Sequence, residues 1–204
     1  MENTVVHTEH RDDFGAKLGM WIFIFTELLL FGGLFLVYAV YRRMYPADFH
    51  EAASELNAFI GTTNTVLLLI SSMTVAMSLT AIQKNNPKLS ARLILITILL
   101  GAAFLFNKYH EWGTEIGEGL YPGSENLMTQ SHGVVLFFGL YFFMTGLHMF
   151  HMIIGLVLLI VIRARIISGK VNHDRYTLLE NGSLYWCLVD LIWIFVFPLL
   201  YLVN

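Results

Sequence analysis

The sequence predicts an all-α fold: a polytopic membrane protein built as a five-transmembrane-helix bundle. Three observations carry that prediction. Apolar residues make up 56% of the 204 and charged residues only 13%, a balance foreign to a water-soluble domain of this length. The apolar residues gather in five runs, each near the ~20 residues that a helix needs to cross the hydrocarbon of a bilayer. The segments between the runs hold most of the charge.

In chain order, residues 1–16 form a polar N-terminal tail with His7 and His10 among Glu2, Glu9, Asp12 and Asp13. It reads as a solvated terminus, although histidines among carboxylates also admit a metal-binding tail. It has no basic start followed by a short apolar core, so the first span is expected to serve as its own insertion signal. Residues 17–204 read as a single membrane domain. The first span, 17–41, carries Glu27 near its middle and ends before Arg42 and Arg43, which suit an interface. An ionised carboxylate at that depth costs a few kcal/mol or more, so Glu27 must face protein, lipid headgroup oxygens drawn inward, or a water-filled path. Two readings follow: a proton-exchanging carboxylate, or a protonated acid that merely hydrogen-bonds a neighbouring helix.

Tyr45–Leu56 is a short connection with a possible surface helix. The second span, 59–82, is rich in small and hydroxyl residues, among them Gly61, Ser71, Ser72, Ala76 and Ser78. Such residues let helix backbones approach and let hydroxyls bond across the seam or back to their own helix. The third span, 93–112, turns polar at its end. There Tyr109 and Trp112 fit an aromatic belt, Lys108 is expected to snorkel to the interface, and Lys108 and Glu111, three apart, can pair. Residues 115–131 read as a glycine-rich acidic loop. The fourth span, 133–162, is long enough to tilt, and it sets His148 and His151 on nearly one face. Residues 163–181 form a basic loop that includes Glu180, and the fifth span, 183–203, holds Trp186, Asp190 and Trp193.

Five spans put the termini on opposite sides. Nine of the 12 Lys and Arg lie on the side of the N terminus, against Arg42, Arg43 and Lys108 on the other. The positive-inside rule therefore predicts a cytoplasmic N terminus and an outside C terminus.

The intramembrane polar residues limit the chemistry. His148 and His151 could ligate haem or copper only with partners from other helices, and a polar seam is the plainer reading. Asp190 faces no cation at its own depth, so a histidine, His148 first, or a group on another subunit is its expected partner. Trp186, Asp190 and Trp193 form a stripe open to two readings, aromatic packing or a functional face. The single Cys187 cannot form an internal disulfide. No phosphate-cradling loop, nucleophile constellation or basic cluster suited to nucleic acid is present. The residues alone leave three classes open: a subunit of a larger complex, an autonomous proton-coupled transporter, and a bis-histidine haem protein. The transporter is disfavoured by the absence of an inverted repeat or broken helix pair.

The motifs WIFIFTELLLFGGLFLVY with its midspan Glu27, NTVLLLISSMTVA, LLGAAFLFNKYHEW, TGLHMFHMIIG and LYWCLVDLIWIFVF, in this order, resemble subunit III of the haem-copper respiratory oxidases, in its short five-helix form. The resemblance implies an accessory subunit with no metal of its own that packs directly on subunit I, with subunit II and a small subunit IV as further partners. Haems and copper would then sit in those partner subunits, where oxygen is reduced to water and protons are pumped across a bacterial cytoplasmic membrane. It implies bound phospholipid, and it casts Glu27 as the carboxylate that supports proton uptake and protects subunit I from inactivation. Glu111, His148, His151, Glu180, Trp186 and Asp190 match family motif positions, as an intramembrane polar seam or contacts to subunits and lipid. Cys187 stands where the family pattern has His after Tyr-Trp, and the segment 107–112 departs somewhat from that pattern. A homologous subunit associated with nitric oxide reductase is the alternative that the same resemblance allows.

Overall fold

The computed structural model describes residues 13–202, and the readings made for His7 and His10 in the tail lie outside them. All regular structure among these residues is helical. The order is α1 (Asp13–Met44), α2 (Pro46–Ser54), α3 (Ala58–Gln83), α4 (Pro87–Gly117), α5 (Glu125–Met128), α6 (His132–Ile167) and α7 (Thr177–Tyr201). Five of these, α1, α3, α4, α6 and α7, are long and apolar enough to cross a membrane. Each matches a predicted span but overruns it. α4 takes in Glu115 at the start of the predicted acidic loop, α6 continues to Ile167, and α7 begins before Glu180.

The helix starts follow from local chemistry. Asn57 accepts from the backbone N–H of Phe59 and Ile60 to cap α3, and Asn86 accepts from Leu89 N–H, with Pro87 at the first helical position of α4. Pro46 likewise opens α2. The start of α6 is capped by its own Ser131 and by Asp48 of α2, which accepts from Gly133 N–H at 3.1 Å. A Cβ at Gly133 would lie 2.2 Å from that carboxylate, so only glycine fits. The connection 45–56 is thus a helix with Phe49, Ala52 and Ala53 buried, and it clasps the head of α6.

The core is the packing of α3 against α4, α4 against α6, and α7 against both α3 and α6. As predicted, the hydroxyl residues of α3 line a close seam. Ser78 and Ser90 hydroxyls meet at 2.8 Å, as do those of Thr74 and Thr97, while Thr62 and Thr63 bond back to their own helix. Trp186 of α7 is fully buried between two glycines, Gly101 of α4 and Gly155 of α6, where added Cβ atoms would stand 2.6 and 2.9 Å from its ring. The aromatic wedge thereby locks α4, α6 and α7 together.

α1 stands apart from this core. Only 6% of its most apolar window is buried, against 56% for α7, and it packs on α7, α6 and α2 without touching α3 or α4. Polar contacts that fix it include Lys17 Nζ to Glu180 at 2.9 Å, Glu27 to His151, the Tyr38 hydroxyl to the Leu199 carbonyl, and Asn181 to the Ala16 carbonyl.

Candidate functional site

The predicted polar residues fall into four places. The first is the meeting of α1 and α6 at mid-depth, where Glu27 Oε2 lies 3.0 Å from His151 Nε2 and both side chains are nearly buried. The other ring nitrogen of His151, Nδ1, is 2.8 Å from the Leu147 carbonyl oxygen. A carbonyl only accepts, so Nδ1 carries a hydrogen and Nε2 faces the carboxyl group. One proton between Nε2 and Oε2 then makes the pair neutral, whether it sits on the acid or on the imidazole. It can move between them without creating net charge in a low-dielectric site, where an isolated charge would be costly. Phe31 packs edge-on to the imidazole at 5.6 Å, and Tyr185 donates to the backbone carbonyl of His151 at 3.0 Å. These contacts hold the ring against α1 and α7.

The second place is the α3–α7 contact. Asp190 accepts from Ser72 and lies 3.0 Å from the hydroxyl of Ser71, which in turn accepts from Trp186 Nε1 at 2.9 Å. Trp193 Nε1 donates to Thr65 at 3.1 Å. The Trp-Asp-Trp stripe therefore faces a row of α3 hydroxyls, and the expected Asp190–His148 pairing is not formed. Depth alone suggested that pairing, but His148 lies on α6 against Phe104 and Trp193, while the hydroxyls of α3 reach Asp190 first. His148 is fully buried, and neither ring nitrogen has a hydrogen-bond partner among the described residues.

The third place corrects another expectation. Lys108 does not snorkel to the interface: its side chain is 0% exposed and turned into the bundle. Its ammonium donates to the hydroxyls of Tyr141 at 2.8 Å and Tyr201 at 2.6 Å, and it stands over the Tyr141 ring at 4.6 Å. The predicted pairing with Glu111 does form, at 3.2 Å. Snorkelling requires the stem to run along an apolar outer face; the azimuth of Lys108 on α4 points it at α6 and α7 instead, where two phenols and a carboxylate replace water. Sequence reasoning missed Glu115, Tyr141 and Tyr201 as members of this cluster. The i, i+3 and i, i+7 spacing of Glu111 and Glu115 from Lys108 was the available signal.

The fourth place is Glu180, which is far along the chain axis from Glu27 and joins the start of α7 to the start of α1 through Lys17. Asn181 reinforces the joint by donating to the Ala16 carbonyl at 3.1 Å. His148 and His151 share a helix face as expected but engage different surroundings. Among the described residues, no group of three or more His, Cys, Asp or Glu side chains gathers as a metal site would require.

Comparison with known proteins agrees with this architecture. The family model for cytochrome c oxidase subunit III matches residues 2–204. The chain is 32% identical to the cytochrome c oxidase subunit 3 of Thermostichus vulcanus, over 98% of this chain and 92% of that protein. It is 30% identical to the probable quinol oxidase subunit 3 of Staphylococcus saprophyticus, over 99% and 95% of the two chains. With the cytochrome bo(3) ubiquinol oxidase subunit 3 of Pseudomonas aeruginosa it shares 27% identity, over 96% and 90%. A match that spans both chains nearly end to end, on five apolar helices in the predicted order, shows that this chain belongs to the cytochrome c oxidase subunit III family.

Proposed function

We propose that this chain is the accessory subunit III of a proton-pumping haem-copper terminal oxidase. In this reading the five apolar helices cross a bacterial cytoplasmic membrane as a single domain, with the N terminus in the cytoplasm and the C terminus outside. The burial of Lys108 sharpens the charge asymmetry behind that orientation, because Arg42 and Arg43 are then the only cations exposed at the outer ends of the described helices. Subunit I, which would hold the reacting metals, is the direct partner, with subunit II and a small subunit IV beside it. α1 has the surface to bind such a partner or phospholipid, since most of its apolar side chains lie outside the bundle. Haems and copper belong to the partner subunits, and this chain supplies proton handling and stability to the complex.

The single observation that carries the proton-handling role is the Glu27–His151 pair. It joins the exposed helix to the core, it is almost dry, and it holds a mobile proton at no cost in net charge. A site of this kind can take up or pass on a proton beside a partner whose chemistry consumes protons. Away from the pair, Trp186, Asp190, Glu111 and Glu180 tie the helices of the bundle to one another.

The test is Glu27→Gln in the purified complex. The amide keeps a hydrogen-bonding group but cannot exchange a proton, so the complex assembles while proton uptake slows or inactivation during turnover accelerates. Unchanged uptake and unchanged turnover lifetime refute the role of Glu27. Mass spectrometry and a visible spectrum of the same preparation test the wider reading: a chain that purifies without haem-bearing partners is not an oxidase subunit.

A further inference from the structure

At the end of the bundle away from Glu180, Tyr141 of α6 has one phenolic proton and two carboxyl neighbours. Glu111 Oε1 lies 3.1 Å from its oxygen and Glu115 Oε1 only 2.8 Å. The same oxygen accepts from Lys108 at 2.8 Å. A phenol donates once, so if both carboxyl contacts are hydrogen bonds, one carboxyl group must bring its own proton. The remaining contacts decide which. Glu111 faces the Lys108 ammonium at 3.2 Å and accepts from the Tyr201 hydroxyl, the surroundings of an ionised carboxylate. Glu115 has no cation at contact distance among the described residues. Its Oε2 is buried without a hydrogen-bond partner, and the residue is 5% exposed. A carboxylate there would leave the site with two negative charges against one positive, one anionic oxygen being dry and unpaired, which is the costliest arrangement open to it.

We propose that Glu115 is the proton-holding group of a buried, electroneutral site formed by Lys108, Glu111, Glu115, Tyr141 and Tyr201, separate from the Glu27–His151 pair. The proton sits on Glu115 Oε1 and is donated to the Tyr141 oxygen. Tyr141 donates to Glu111, and Lys108 donates to both phenols. Tyr141 then makes two acceptor contacts and one donor contact, which fills the capacity of a phenol. The other ionisable groups near the site are Glu118 just past the end of α4 and His148 on α6. Asp48 and Glu51 of α2 and Glu55 just after it, with Glu118, line a cavity of about 540 Å³. Phe138 also lines that cavity, and its ring centroid is 6.4 Å from that of Tyr141. Phe138 is thus the contact between the acidic cavity and the phenol that accepts the Glu115 proton.

The experiment compares Glu115→Gln with Glu111→Gln in the full chain, purified with the partners it carries. Gln at 115 copies a protonated acid: it can donate to Tyr141 and adds no charge. Gln at 111 strips the ammonium of Lys108 of its counter-charge. Glu115→Gln is therefore expected to accumulate and melt like the parent, and Glu111→Gln to melt lower or fail to accumulate. Infrared difference spectra between neutral and alkaline pH are expected to show a carboxylic-acid C=O band that is sensitive to deuterium oxide, is lost in Glu115→Gln and is kept in Glu27→Gln. Failure of Glu115→Gln to fold, a destabilisation equal to that of Glu111→Gln, or a band indifferent to Glu115→Gln would each overturn the assignment. Because the readouts are stability and a vibrational band, they stand whether or not Glu27 supports proton uptake.

Discussion

Gly101→Ala is a sharp test of how the bundle is held. The added Cβ would lie 2.6 Å from Trp186 Cη2, 2.9 Å from Cζ2 and 3.1 Å from Leu156 Cδ2, about 0.8 Å short of the 3.4 Å at which ordinary contact begins. The indole cannot step aside. Gly155 approaches its other edge so closely that a Cβ there would stand 2.9 Å from Cε3, and Nε1 is held by Ser71. Overpacking of a core costs about 1–3 kcal/mol, and a ring pinned on two sides belongs at the upper end. Replacing glycine within a helix returns ~0.5–1 kcal/mol, which leaves a net loss of roughly 1–2 kcal/mol. Gly139 of α6 is the control, since a Cβ there meets nothing within 4 Å, and Gly139→Ala should be neutral or stabilising. The assay is reversible unfolding of the purified protein in mixed micelles, followed by tryptophan fluorescence. Adding Trp186→Phe to Gly101→Ala should recover part of the loss, because a smaller ring fits the narrowed slot and the two changes share one contact. If Gly101→Ala is as stable as Gly139→Ala, the wedge does not hold the helices as described.

Asp190→Asn should retain stability, since its amide oxygen can still accept from Ser72, whereas Asp190→Leu takes away the acceptor of Ser72, leaves Ser71 only the Leu68 carbonyl at 2.8 Å, and should cost ~1–3 kcal/mol in the same unfolding assay; equal stability of the two variants refutes the hydrogen-bonded reading. For orientation, a tag on the N terminus should be protected in right-side-out cells and accessible in inverted vesicles, and the reverse pattern overturns a cytoplasmic N terminus.

The five long helices were legible because each is an apolar run of membrane-spanning length, and length and composition are one-dimensional properties of a chain. Pairings along one helix were legible for the same reason: Lys108 and Glu111, three residues apart, do meet. What sequence reasoning could not supply was azimuth. It gave Lys108 a snorkelling path that it does not take and Asp190 a histidine partner that it does not meet, because position along a helix does not say which neighbour a side chain faces. The partner of Glu27 lay among the residues singled out, in His151, but no periodicity within a helix joins α1 to α6. Ser71 and Ser72 were read as packing residues; adjacent hydroxyls at mid-depth opposite an aspartate were the available sign that they do more. The extra turns at the ends of α4 and α7, which carry Glu115 and Glu180, were read as loop because their polar sequence resembles solvated segments. The neighbouring helices supply the partners that keep them wound.

The placement of α1 bears on how the chain assembles. As synthesis proceeds, α3 and α4 can close on each other as soon as both have entered the membrane, since they adjoin in sequence and pack closely. α1 enters first and has no contact with either of them. Its anchors, His151, Glu180 and Leu199, are all made late. The helix that inserts earliest is thus the last to find its place: Glu27 has no partner until α6 arrives, and Lys17 and Tyr38 have none from the far end of the chain until α7 does. Truncation before α7 should therefore spare the α3–α4 hairpin while leaving α1 held only through α6 and α2, so quality control in the membrane would sense an unfinished chain at its beginning and not at its end.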